Sequence, residues 1–421
     1  MLLRKTVGLL KKYGPARTAA LAARFAVYAV EMRLGPGKKE RAAVGTLLGE
    51  IRAADYERLV LRRGSFGWHT PLFQRAQQLA RAMGRRGCLV LYEAAPPYDR
   101  LRGAEKLGEG LWLVDLRSPR LRRLVEAAAE QSGRPRYLML ASPESRFCPS
   151  LPERYLKSGW TVLYDYIDAI SGEISGGGRV QRRTLALYRW AMQRESVLVA
   201  ASALALLRDA AQKGKTAILV ENGVDCAHFF APSACPEDEP FRALLRAGRP
   251  IVCFFGALAC WLDYEALRRI AADGRFSLLL IGVSYDGSYD RELAGRERVL
   301  FLGPRPYAAL PAYAARCDVL LVPFRPGEVG DAASPVKLFE YLALGKPIVA
   351  GNTAECRRCR SALIASHAAD YVRRIVEALA LKNDGDYLRR EREEALAADW
   401  LCRAETLSAV LREREKEKRG A

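Results

Sequence analysis

The sequence predicts an α/β protein of two Rossmann-like domains, and three observations carry that prediction. Short apolar runs of strand length alternate with amphipathic stretches from about residue 57 to 381, the pattern of parallel strands joined by crossover helices. The alternation breaks at Phe229-Phe-Ala-Pro-Ser-Ala-Cys-Pro-Glu-Asp-Glu-Pro240, a segment dense in proline and acid that reads as a linker. A chain of 421 residues, half of them apolar, is also too long for a single compact core.

Before the break, strands are expected at Leu59–Leu61, Cys88–Tyr92, Leu111–Val114, Tyr137–Leu140, Val162–Tyr164, Val197–Ala200 and Ile218–Val220, with helices over 71–85, 119–131, 182–194 and 203–212. After it, strands are expected at Ile251–Phe255, Leu278–Ile281, Val299–Leu302, Val319–Val322, Pro347–Ala350 and Ala362–Ala365, with helices over 263–273, 307–316, 335–344 and 368–381. The expected organisation is a basic extension at 1–50, a first domain at 51–225 completed by 386–421, a linker at 226–248 and a second domain at 249–385. The two domains are expected to face each other across a cleft at the carboxyl ends of their sheets, where open α/β sheets bind ligands. The last 35 residues read as a helix with Trp400, Leu401, Leu407, Val410 and Leu411 on one face, ending in a charged run expected to be a frayed, solvated tail.

Composition narrows the function classes. No apolar run approaches the ~20 residues needed to cross a bilayer, and the N-terminus lacks the pattern of a cleaved secretory signal, so a cytoplasmic location is expected. The net charge of +19 is concentrated at the front, where residues 1–63 hold 14 Lys or Arg against 5 Asp or Glu. Residues 1–33 mix these cations with Leu2, Leu3, Val7, Leu9, Leu10, Leu21, Phe25 and Val27. That mixture suits a basic amphipathic helix on the anionic inner face of a membrane, or equally a helix packed on the first domain with a solvated basic face. No aromatic-basic RNA motif, zinc finger or helix-turn-helix accompanies the charge, and nucleic acid is not an expected partner. The ten scattered cysteines read as reduced thiols; Cys356 and Cys359 have CxxC spacing without a second pair, and a surface loop with two thiols is preferred there over a zinc or redox site.

The strongest signal for chemistry is the strand Val319–Val322, the loop Pro323–Ala333 and a helix opening at Ser334-Pro335, with Ser as N-cap and Pro in the first helical position. Unpaired N–H groups at a helix start, the positive end of its dipole and Lys337 in the first turn make a cradle for a diphosphate. Glu340, a turn later, can accept two hydrogen bonds from vicinal hydroxyls such as those of a ribose; an ordinary surface Glu–Lys pair is the other reading. Asp165 and Asp168 follow a strand and precede the Gly-rich stretch Ser171–Gly178, so one can face a cleft, or both can simply end the strand. His69, in the turn after the first strand, reads as a phosphate or sugar contact or as a structural histidine.

The segment Ser334-Pro-Val-Lys-Leu-Phe-Glu-Tyr-Leu-Ala-Leu-Gly-Lys-Pro-Ile-Val349 resembles the donor-binding signature of retaining GT-B glycosyltransferases of the family 4 group, which includes teichuronic-acid and exopolysaccharide enzymes. Phe254-Phe-Gly-Ala-Leu with Trp261-Leu-Asp263, Phe301-Leu-Gly-Pro-Arg-Pro-Tyr307 with Leu310-Pro311, Asn222-Gly-Val-Asp225 with His228-Phe229, and Trp400-Leu-Cys-Arg403 resemble that group in the same order. Trp68-His-Thr-Pro-Leu-Phe-Gln-Arg75 and Tyr164-Asp-Tyr-Ile-Asp168 are looser matches to its acceptor domain. The likeness covers about residues 57 to 410.

The resemblance implies transfer of a sugar from a nucleotide sugar, UDP-linked, to a lipid-linked or polysaccharide acceptor with retention, without a metal or other cofactor, and a closing helix that crosses back to the first domain. It implies that Glu340 holds the ribose, that Ser334, Pro335, Val336 and Lys337 hold the diphosphate, and that Gly67 and Gly256 let backbone approach the donor. Arg305 and Tyr307 belong to the loop beside the nucleotide. Lys337, Asp168 and Asp331 are the catalytic candidates, with His69 and Asp165 on the acceptor side. Two departures stand out. The group's second glutamate, eight positions before Glu340, is Ala332 here, leaving Asp331 as the neighbouring substitute. Its Arg and Lys after the second domain's first strand are replaced by Gly256-Ala-Leu-Ala-Cys-Trp-Leu-Asp263, leaving Lys337, Arg305 and Arg325 as available cations. A non-catalytic protein that binds a nucleotide sugar or a partner transferase, and an epimerase acting on the nucleotide sugar alone, are the competing expectations.

Overall fold

The structure, a computed structural model, describes residues 19, 22, 23, 37–70, 73–96, 98–142, 147–172, 179–231 and 234–420. The amphipathic segment expected at 1–33 falls outside the described residues except at positions 19, 22 and 23, and residues 173–178 of the Gly-rich stretch also fall outside them. By compactness the chain divides into a unit of residues 1–164 with 413–421 and a unit of residues 165–412.

In the first unit, β1 (Arg58–Arg63), β2 (Cys88–Glu93), β3 (Ala104–Gly108), β4 (Leu111–Val114), β5 (Arg136–Ala141) and β6 (Thr161–Tyr166) run in the order β3-β4-β2-β1-β5-β6. The β1, β2, β4 and β5 pairings are parallel, and β3 is an antiparallel edge on β4. Continuous apolar runs such as Cys88-Leu-Val-Leu-Tyr are what a sheet covered on both faces requires, and β2 is buried along its whole length. The basic extension turns out to be partly structural. Lys38–Ala53 is a helix that buries Leu47, Leu48 and Ile51, while Glu50 accepts from Trp112 Nε1 at 2.8 Å and Lys106 Nζ at 2.6 Å.

The second unit holds a parallel pair, β7 (Leu198–Ala201) and β8 (Ile218–Leu219), and an all-parallel sheet of β9 (Ile251–Phe255), β10 (Ser277–Ile281), β11 (Val299–Phe301), β12 (Val319–Val322), β13 (Ile348–Gly351) and β14 (Ala362–Ala365). Its order is β11-β10-β9-β12-β13-β14. After β9 the chain builds outward through β10 and β11, then returns to lay β12 on the other side of β9. The join of β9 and β12 is therefore a topological switch point, where a crevice opens at the carboxyl ends of the strands. The segment read as a linker carries two short helices, Cys226–Phe230 and Glu239–Arg246, the second with Pro240 in its first turn where a missing N–H costs nothing.

The C-terminal helix, Trp400–Gly420, gives its residues up to Arg412 to the second unit and the rest to the first. Its charged end is not a solvated tail, as the sequence reading had it. Within the first unit Glu415 accepts from Arg58 Nε at 3.0 Å and from the Tyr137 hydroxyl at 2.7 Å, and Lys418 reaches Thr161 at 2.9 Å. Arg58 is buried in β1, and a buried guanidinium needs a carboxylate beside it.

Candidate functional site

At the switch point of the second sheet the strand ends are stripped to backbone. Gly256, just past β9, donates its N–H to the Ile281 carbonyl at 2.8 Å, and Gly282, just past β10, donates to Gly303 O at 2.9 Å. Both have positive φ, 152° and 143°. A Cβ on Gly282 would lie 1.8 Å from Gly256 O, and one on Gly256 would lie 2.0 Å from Lys337 Cε, so only glycine lets the lysine stem cross here.

Lys337 belongs to the helix Val336–Leu344, which is seated on β9 by Tyr341: the tyrosine hydroxyl accepts the Phe255 N–H at 3.1 Å and its ring meets the Phe255 ring edge-on. The Lys337 ammonium sits 6.0 Å from the Phe254 ring centroid and 5.9 Å from that of Phe324, bridging the ends of β9 and β12. Burial lowers its pKa from the ordinary value, against the opposing pull of the Glu340 and Asp168 carboxylates. Glu340, one turn on, is 4% exposed, and burial pushes its carboxyl up to about 7 although Lys337 draws it down. No hydrogen bond from another described residue reaches the Glu340 carboxylate. A buried acceptor without a protein donor is costly unless a ligand supplies one.

The helix opens one residue later than expected. Pro335, with φ −70° and ψ 110°, is the N-cap, and Val336 is the first helical residue. Ser334 therefore stands one residue before the cap, and its Oγ accepts the Asn222 N–H at 3.3 Å. The first-turn N–H groups of Val336 and Lys337 have no acceptor within the helix, as the first turn of any helix leaves its donors over.

Other candidates fare differently. Asp168 is half-buried and acts on Lys337, whereas Asp165 is completely buried. Asp331 is engaged within the protein. Its Oδ2 accepts from Gly327 N–H at 3.1 Å and its Oδ1 from Ala354 N–H at 2.7 Å, so it ties its own loop to the segment after β13. Arg305 is likewise engaged: it pairs with Asp238, donates to the Tyr313 hydroxyl at 3.2 Å and reaches the Leu302 carbonyl, which holds the Asp238 carboxyl below its usual range. Tyr307 stacks on His228 with centroids 4.7 Å apart. Arg325 is exposed and donates to Cys260 O, in the segment after β9, at 2.6 Å. Cys356 is fully buried rather than in a surface loop, and burial pushes the Cys356 and Cys359 thiols up to about 12, which keeps both protonated.

In the first unit, Gly67 and His69 lie in the loop after β1, and the structure gives Gly67 a local reason. A Cβ there would stand 2.9 Å from Asp99 Oδ2 and 3.0 Å from Ala95 O. The fully buried Asp99 gathers the N–H groups of Trp68, His69 and Ala95 at 2.8 to 2.9 Å and faces His69 Nδ1 at 3.0 Å. Gln77 closes the same loop from the helix Arg75–Arg85, donating to Gly67 O at 3.1 Å and Thr70 Oγ1 at 3.2 Å. Sequence reasoning missed Asp99 and gave no role of their own to Gln77 and Asn222, since the partners of the three lie 31, 10 and 112 residues away.

Residues 249–380 match the family described as glycosyl transferases group 1. The putative teichuronic acid biosynthesis glycosyltransferase TuaH of Bacillus subtilis is 28% identical over 193 residues, 44% of this chain and 47% of that protein, so the match spans about half its length. Among solved structures, sucrose-phosphate synthase from Thermosynechococcus elongatus superimposes with a TM-score of 0.63 at 17% identity, covering 86% of this chain and 100% of the other. Anabaena HepE, solved in complex with UDP and glucose, gives 0.58 at 15% identity, covering 85% and 100%. The α,α-trehalose 6-phosphate synthase of Burkholderia multivorans gives 0.58 at 12% identity, covering 86% and 98%. Residues 249–380, which carry the switch-point crevice, thus match a glycosyl transferases group 1 domain, and the chain shares the GT-B fold of these solved glycosyltransferases.

Proposed function

We propose that the protein transfers a glycosyl group from a nucleotide sugar, UDP-linked, to a lipid-linked or polysaccharide acceptor with retention at the transferred carbon. The observation that carries this reading is the conjunction, at one switch point, of open helix N–H groups, the Lys337 ammonium and the buried Glu340 carboxylate. The diphosphate lies at the start of Val336–Leu344, and the ribose hydroxyls donate to Glu340. As the bond from the sugar carbon to the phosphate oxygen breaks, negative charge grows on the leaving diphosphate. The helix start and Lys337 stabilise that charge, without a metal in the proposal. The acceptor hydroxyl forms the new bond on the same face, and its proton passes to the leaving phosphate oxygen. HepE, solved with UDP and glucose, and TuaH, named for teichuronic acid biosynthesis, support the donor and acceptor classes. Within this proposal residues 51–225 with 386–421 serve the acceptor, residues 249–385 the donor, and residues 1–33 an anionic membrane surface at the inner face.

Glu340→Ala should weaken UDP binding by about tenfold or more, the loss of hydrogen bonds at a buried carboxylate. Calorimetric titration that finds UDP and GDP bound equally by both chains would remove the donor-site assignment. A second reading, a nucleotide-sugar binder without transfer, is favoured by one observation: Ala332 stands in place of a carboxylate and Asp331 is engaged elsewhere. Release of UDP from a panel of UDP-sugars in the presence of membrane extract excludes that reading.

A further inference from the structure

Asn222 follows β8 in the second unit, is 4% exposed and reaches two distant segments at once. Its backbone N–H donates to Ser334 Oγ at 3.3 Å, and its side-chain Nδ2 donates to the Ser334 carbonyl at 2.6 Å. Its own carbonyl accepts from Arg403 Nε at 3.0 Å. Arg403 also meets Glu221 at 3.4 Å, and Glu221 pairs in turn with Arg358, which holds Glu355 at 2.9 Å. Asn222 is thus gripped from behind by a chain of ion pairs while it grips Ser334.

The consequence lies at the helix start. The N-cap there is Pro335, which offers no side-chain acceptor to a first-turn N–H, and the Ser334 hydroxyl stands one residue earlier. Here that hydroxyl faces Asn222, and the peptide joining Ser334 to Pro335 is fixed by the Asn222 amide. Pro335 brings no N–H of its own. The Val336 and Lys337 N–H groups have no acceptor within the helix, at a site whose dipole and lysine both favour an anion.

We propose that Asn222 is a positioning residue for the diphosphate: its side chain fixes the Ser334–Pro335 peptide and with it the start of Val336–Leu344, so that its donors meet a ligand. This rests on the nucleotide-sugar reading above. Two probes separate positioning from general stability. UDP and uridine share the nucleoside and differ in the diphosphate, so a misplaced helix start weakens one and spares the other. Asn222→Ala should raise the Kd for UDP about tenfold while leaving that for uridine within about twofold. Asn222→Asp keeps the shape but cannot donate to the Ser334 carbonyl, and should show the same split, which covers the case in which the alanine variant does not fold. Equal loss of both ligands, or loss of neither, overturns the proposal. A wild-type chain that binds neither UDP nor uridine fails differently, since it removes the nucleotide-sugar reading itself.

Discussion

The strand-end loops of the two units handle their polar groups in opposite ways. After β1 in the first unit, the N–H groups of Trp68 and His69 converge on the buried Asp99, and Gln77 takes up the Gly67 carbonyl. After β9 and β10 in the second, Gly256 and Gly282 leave the backbone bare, the helix that follows β12 starts without a side-chain cap, and Glu340 is buried with no hydrogen bond from another described residue. One loop completes its hydrogen bonding internally and is built to hold a shape. The other leaves donors and an acceptor over, an arrangement that costs stability and is retained where a ligand makes up the difference.

The sharpest way to break this contrast is Lys337→Met. If the lysine serves a ligand, transfer should fall on the order of a hundredfold, the scale of losing one charge-stabilising group at a leaving atom. The melting temperature should hold or rise, because a cation is no longer held in a low-dielectric site. A destabilised protein with normal turnover, followed by thermal melts and UDP release, would reverse the assignment.

Asp99→Ala tests the other side. Three backbone N–H groups lose their acceptor, and at ~1 kcal/mol or more for each unsatisfied donor the loss should reach about 3 kcal/mol in urea titration. A change below about 1 kcal/mol would mean that the loop is not self-contained.

The smallest effect concerns a buried charge away from the strand ends. Glu391, on the helix Gly385–Ala397, is fully buried, neither of its carboxylate oxygens has a hydrogen-bond partner among the described residues, and burial pushes it up to about 8. Because the folded value exceeds the unfolded one, the protonated form contributes stability that is complete below the ordinary value of 4.5 and is lost as pH rises through about 8. Glu391→Gln should flatten the fall in melting temperature between about pH 5 and about pH 9 without changing UDP affinity. An altered affinity would extend the ligand-serving class of buried carboxylates beyond Glu340.

Much of the fold was legible because buried parallel strands are written as continuous apolar runs. β3 was not: Ala104-Glu-Lys-Leu-Gly108 is a largely exposed antiparallel edge, and its composition reads as a loop. The helix Ser150–Lys157 was hidden by Pro152, which sits in its first turn. At the site, Lys337 and Glu340 could be found because their spacing is local to one helix. Asp331 and Arg305 turn out to be engaged, hidden in sequence for the complementary reason. A charged residue beside a loop looks available in sequence, and only tertiary structure shows its partners, Gly327 and Ala354 for one, Asp238 for the other. Ser334 misled by one position, since nothing local reveals that a residue 112 positions earlier draws its hydroxyl away.

The ion pair of Arg58 and Glu415 carries a consequence for synthesis. The two residues are 357 positions apart, yet both belong to the first unit, and Arg58 lies in its central strand. Chains emerge from the ribosome N-terminus first, so this strand is made with Glu57 alone beside its buried cation, and the second carboxylate, Glu415, comes later with the C-terminal helix. The second unit, residues 165–412, is complete before that happens. The first unit therefore gains the second carboxylate for Arg58 only after residues 165–412 have been made.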